Sequence, residues 1–186
     1  MRGSPAGPVV LPGQRLGSAI GATFGLVYVE VNAGALSPAT SGIARIVGAA
    51  LFIAVAALLV AGRHSPQSAE APAGHGFGRG YWAVVGAEAV AIVVGARLIT
   101  GPVGLAHGVV AWVSVVVGAH FIVLAEVWKF RPVHVLGAMI GLCGAAGLAA
   151  AGAGASNAVV AGTGGVVPGA ILLASGCWGA ARTLSA

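Results

Sequence analysis

A handful of ionisable side chains stand inside long apolar stretches, and their types are those of proton and charge chemistry: Glu30, Glu88, Glu126, His120, Arg45 and Arg97. A carboxylate beside an imidazole forms a charge-assisted pair in which each partner shifts the other's protonation. Histidine titrates near neutral pH, so such a pair can hold or pass a proton. A carboxylate beside a guanidinium is a fixed ion pair. A charge at the middle of a bilayer costs at least about 2.5–3.5 kcal/mol on insertion scales, so each of these residues needs a partner or a task.

The stretches that carry them are membrane helices by composition. The 186-residue chain is 58% hydrophobic and 7% charged, with 32 glycines. A soluble domain carries about 25% charged residues and needs them to cover its surface. Apolar runs near 20 residues that do not alternate with polar ones read as helices, because only helices or closed barrels satisfy the backbone in lipid. The expected fold is all-α, a polytopic six-helix membrane protein forming one embedded domain over residues 1–186. The spans fall at about 15–36, 42–62, 80–100, 105–128, 132–151 and 157–181. Turn formers separate them at Ser37-Pro38, Gly101-Pro102, Arg131-Pro132 and Gly152 through Asn157. The one long loop, 63–79, is rich in Pro, Gly, Ser and His.

Basic residues set the orientation. Arg2, Arg15, Arg63, Arg79, Lys129, Arg131 and Arg182 fall on one side of an even number of spans, which predicts both termini in the cytoplasm. Trp82, Trp128 and Trp178 fall at the same ends, as an interfacial aromatic belt would. Ala33-Gly34-Ala35 also resembles a signal-peptidase site, and cleavage there would leave five spans. Glu30, just before it, and the Pro/Gly-rich leader argue against cleavage.

Depth follows from the spans. Glu88 lies eight residues from the basic end of span three, and His120 eight residues from the basic end of span four. Both sit about 12 Å in on consecutive antiparallel helices, so they can meet. Glu30 and Arg45 sit near the opposite end of spans one and two, again at similar depth. Glu88, His120, Glu30 and Arg45 are therefore the expected transport or polar centre, with structural ion pairing as the bland reading of each pair. Arg97 is read as snorkelling to headgroups. Glu126 and Lys129, one turn apart, are read as an interfacial pair, and His107 and His134 as wet span ends. His64 and His75 lie in the long loop at no recognised metal-ligand spacing.

Span six contains Thr163-Gly164-Gly165-Val166-Val167-Pro168-Gly169. Pro168 removes a helical hydrogen bond and the glycines loosen the turn before it, so Gly164, Gly165 and Pro168 mark an expected helix break. It is either a kink that aids packing or an unwound stretch of the kind transporters use. Small-residue stripes, Gly17-Gly21-Gly25, Ala87-Ala91-Gly95, Gly137-Gly141-Ala145 and Gly165-Gly169, permit close crossings. Cys143 and Cys177 read as apolar packing residues at different depths. A shift of 89 residues aligns span two with span five, mostly through Ala and Gly.

Span four holds Gly118-Ala119-His120-Phe121-Ile122-Val123-Leu124-Ala125, followed by a basic turn and a Gly-bearing span. This G-x-H-F-x-x-L-A segment resembles one found in small, uncharacterised six-span bacterial membrane proteins. The resemblance covers about a fifth of the chain, implies no activity and singles out His120. The Ala/Gly/Val bias with Arg above Lys suggests a GC-rich bacterial genome.

No P-loop, GxSxG elbow, dinucleotide fingerprint or HExxH motif is present. The net charge of +5 follows the basic side of the membrane and gives nucleic-acid binding no support. No metal site or cofactor is implied. The leading expectation is a multi-pass protein of a bacterial inner membrane acting as a small transporter, channel or proton-coupled permease. The alternative is a non-catalytic subunit or sensor that binds partner helices, a second copy or lipid through its Gly faces. An intramembrane enzyme using Glu30, Glu88, His120 and Glu126 has the weakest support.

Overall fold

The computed structural model describes residues 14–62 and 78–184. Arg2 and the leader, and the loop residues Arg63, His64 and His75, lie outside them. Every described element is helical: α1 (Gln14–Ala33), α2 (Pro38–Ala61), α3 (Arg79–Thr100), a 3₁₀ turn (Ala106–Gly108) leading into α4 (Val109–Trp128), α5 (Arg131–Gly152), and a sixth span built from α6 (Asn157–Ala161), a π-helical turn (Gly162–Val166) and α7 (Val167–Arg182). Six helices are long and apolar enough to cross a membrane.

The ends are set by local chemistry. The first helix stops at Ala33, three residues before the expected Leu36, because Asn32 and Ala33 carbonyls accept from Ala35 and Leu36 in a tight turn. The second starts four residues earlier than expected. Ser37 caps it, accepting from the Thr40 N–H at 3.4 Å, and Pro38 supplies a helical φ without wasting a donor. Between α4 and α5, Lys129 takes the left-handed conformation (φ 52°) where glycine is usual, while the Phe130 N–H reaches the Ala125 carbonyl. At the end where α1 begins, Arg15 donates to the Leu59 carbonyl at 2.7 Å and Gln14 to the Gly179 carbonyl at 3.1 Å, so α1, α2 and α7 are tied together there.

Packing uses spacings of three and four residues, those of a left-handed helix pair. The buried positions of α5 are Gly137, Ile140, Gly144, Gly147 and Ala151. Those of α1 are Ser18, Ala22, Gly25, Val29 and Ala33. The expected Gly165-Gly169 stripe makes close contacts at both glycines, whereas the α1 stripe is corrected. Gly17 and Gly21 face open space, whereas a Cβ on Gly25 would lie 2.8 Å from the Gly169 carbonyl. A Cβ on Gly118 would lie 2.5 Å from the Gly141 Cα, and one on Gly144 2.5 Å from the Val115 nitrogen, so α4 and α5 touch backbone to backbone. One apolar cluster joins α1, α2 and α7 through Ala22, Val29, Val55, Leu173 and Ala180, and a second joins α4, α5 and α6 through Ala111, Ala151 and Val160. Helix α3 stands apart: Gly95 is its one buried residue, and it packs on α4 and the 3₁₀ turn.

Candidate functional site: a carboxylate–imidazole pair beside a π-helical turn

Helix α3 meets α4 at three levels. Tyr81 stacks on Trp128 with ring centroids 6.4 Å apart. Glu88 Oε2 lies 3.0 Å from His120 Nδ1. Gly95 makes room for the Trp112 indole, whose Nε1–H donates to the Ala91 carbonyl at 3.0 Å. The levels are seven residues apart on α3, which keeps Tyr81, Glu88 and Gly95 on one face of that helix, and eight apart on α4, where each step turns by roughly 80°. This rotation sends Arg97 to the exposed side of α3, consistent with a snorkelling side chain.

The middle level is the candidate site. The His120 and Glu88 side chains are 11% and 20% exposed, which matters because burial strengthens any charge interaction between them. The contact has ion-pair distance without an aligned hydrogen bond, and Nδ1 has no partner in hydrogen-bonding geometry among the described residues. His120 is carried two residues beyond Gly118, at the point where α4 presses hardest on α5. Its position is thus fixed by backbone contact.

The expected break in span six is a π-helical turn; the helix does not unwind. The Val167 N–H bonds back to the Gly162 carbonyl, five residues earlier, which widens the turn. Pro168 has no N–H to offer the carbonyl four residues back, that of Gly164. The fully buried Ser114 hydroxyl, from α4, donates to that carbonyl at 2.5 Å. Gly165 packs against Asn32, whose Nδ2 donates to the Tyr28 carbonyl at 2.8 Å. The Tyr28 hydroxyl, from α1, is buried.

Glu30 and Arg45 also meet, 3.5 Å apart, but as a separate pair between α1 and α2 and about half exposed (41% and 48%). Because α2 starts at Pro38, Arg45 lies seven residues into its helix, deeper than its expected place near the span's start. Its guanidinium reaches back over Gly34 at the end of α1. At the opposite end, Glu126 binds Lys129 at 3.2 Å as its spacing suggested, and also His134 of α5 at 2.7 Å. His134 is thus paired across the turn. His134 stays partly exposed, as expected of a span end, whereas the expectation that His107 is wet is corrected: its Nε2 is buried without a partner among the described residues. Cys143 and Cys177 are free thiols, and among the described residues no three His, Cys, Asp or Glu side chains gather to hold a metal.

Sequence reasoning missed Tyr28, Ser114 and Trp112. One signal was available for Ser114: a proline at 168 strands the carbonyl of 164, and a buried stranded carbonyl demands a hydroxyl from a neighbouring span. Nothing in the spacing pointed to Tyr28. No protein-family model matches this chain, and no curated protein or solved structure is significantly similar to it.

Proposed function

We propose that this is a multi-pass protein of a bacterial inner membrane that moves protons, alone or coupled to a small solute, with Glu88 and His120 as its proton-bearing centre. The observation that carries the reading is the 3.0 Å approach of a carboxylate and an imidazole, both shielded, between two apolar helices. Such a pair can share one proton between a neutral and an ionic form. Both termini are placed in the cytoplasm. Support for that comes from Arg15, Arg79, Lys129, Arg131 and Arg182, which share one end with Trp82, Trp128 and Trp178. At that end Arg182 sits 4.8 Å over the Trp178 ring.

The test is proton flux in liposomes for the wild type, Glu88→Gln and His120→Ala. Wild-type flux lost in both folded variants is the expected result. A wild type that carries no flux overturns the reading. A second reading, a non-catalytic subunit whose pair is a staple, is favoured by one observation: α3 is attached through little besides its three contacts with α4, and Glu88–His120 is the middle one. It predicts no flux and a lowered melting temperature in both variants.

A further inference from the structure

We propose that the apolar groove between α2 and span six is a lipid site, occupied by one acyl chain of a phospholipid from the leaflet at the α1–α2 turn. The proposal goes beyond the proton-transfer reading and shares with it only the membrane setting.

The groove holds about 220 Å³. Its floor is formed by Val29 of α1, Gly48 of α2 and Leu173 of α7, all buried. Leu36 and Thr40 form its rim at the α1–α2 turn, and Leu51 closes its far end. From Thr40 to Leu51 the groove follows about 16 Å of α2. The opposite wall is Val166 and Ala170, on either side of Pro168. Span six and α2 touch at the basic end: a Cβ on Gly62 would lie 2.9 Å from Thr183 Oγ1, and Cys177 Sγ lies 3.6 Å from the Leu51 carbonyl. Toward the π-helical turn they part, and the groove occupies the gap.

Three observations name the occupant. The first is chemistry. Thr40 is the one polar side chain along the groove, and its hydroxyl lies 2.8 Å from that of Ser37. A water needs 2–4 polar partners and finds none deeper in. An empty groove would cost its walls their dispersion contacts. Lipid tails are as apolar as those walls, so what holds a tail there is close packing on several sides. The second is access. Ile43 and Val47 form the open lip and are 64% and 49% exposed, so a guest enters sideways from the bilayer. The third is what else could reach it. Residues 1–13, 63–77 and 185–186 adjoin the start of α1, the α2–α3 connection and the end of α7, all at the opposite, basic end. A helix from a second copy is about 10–12 Å across and would rest on Ile43 and Val47, short of the floor at Gly48. An acyl chain is thin enough to reach it.

The wall gives the site a consequence. Val166 belongs to the π-helical turn and Ala170 to the first turn of α7. A chain lodged between them and α2 braces the bend in span six, which the Ser114 bond to Gly164 also supports.

The test uses the full chain in phosphatidylcholine vesicles containing a small share of phosphatidylcholine with a diazirine at mid-chain. Labelled peptides are mapped after photolysis. The expected result is label on residues 43–51 and 166–173 in excess of that on α5 around Leu142, a side chain 71% exposed. Ala170→Phe fills the groove from an exposed position and is expected to bring the label down to the α5 level without lowering the melting temperature. Leu142→Phe is expected to leave the groove label unchanged. Should Ala170→Phe fail to fold, Val47→Gln at the exposed lip is read in the same way. Groove label no higher than that on α5 overturns the proposal, as does excess label that survives the substitution in a folded protein. A wild-type dimer that Ala170→Phe dissociates puts a second copy in the groove and overturns it too.

Discussion

Glu30–Arg45 and Glu88–His120 are built from the same elements, a carboxylate on one helix and a base on the next, and their surroundings differ. Glu30 and Arg45 are half exposed near the end of α1, where the guanidinium can reach headgroups and water and also favour the negative end of the α1 dipole. Glu88 and His120 are closer together and largely covered. The outer pair has a guanidinium that never loses its charge, whereas the base of the inner pair is an imidazole. An exposed pair with a permanent charge serves as a staple. A covered pair with a movable proton can change state, and every neighbour that orients it then matters. The cause of the difference is packing: α4 lies against α5 with glycines at the contact, which fixes His120, while α2 buries just Gly48 and Val55.

Substitutions test this contrast at decreasing cost. Gly118→Val places side-chain atoms against the Gly141 backbone, two residues from His120. It is expected to destabilise by about 3 kcal/mol, read by thermal unfolding in detergent, and to abolish the distinction between the pairs by displacing α4. His120→Ala leaves the Glu88 carboxylate shielded without its base and is expected to cost about 1–3 kcal/mol. The double replacement Glu88→Leu with His120→Leu should recover most of that loss while remaining without flux, since an apolar pair needs no partner. A double mutant as unstable as the single one would show that the pair's neighbours depend on it for more than charge balance. Ser114→Ala strands the Gly164 carbonyl and is expected to cost about 1 kcal/mol, measured the same way. Glu30→Gln is expected to change stability by less than about 0.5 kcal/mol and to leave flux intact. A large, salt-insensitive loss there would mean that the outer pair is as sequestered as the inner one.

Much of the inner pair was legible in the amino-acid sequence, because helix rise is constant. Once the basic ends of spans three and four were located, equal counts put Glu88 and His120 at equal depth. The same argument placed Glu30 near Arg45, with Arg45 misjudged by one turn because the Ser37 cap and Pro38 start their helix earlier than the hydropathy does. Glycine and alanine could not be used in the same way. They are so frequent here that four-residue stripes occur on several faces, and Gly17 and Gly21 prove to face open space while Gly25 makes the contact. The helix break in span six was visible as Gly164, Gly165 and Pro168, but its form was not. A π-helical turn depends on a donor from another helix, and Ser114 looked like any other small polar residue in span four.

Apolar length and the fixed rise of the α-helix are properties of the chain alone, and they determined six helices and the shared level of Glu88 and His120. Rotation about each helix axis is a different quantity. At 100° per residue a single step turns a side chain from a neighbour to lipid, and hydropathy is nearly blind to it when every face is apolar. The tertiary structure decided that rotation through backbone contact at Gly25, Gly118 and Gly144, through the Gly95 notch that seats Trp112, and through the Ser114 bond to Gly164. That is why the level of the pair could be counted from the chain, while its cover came from the packing of helices against one another.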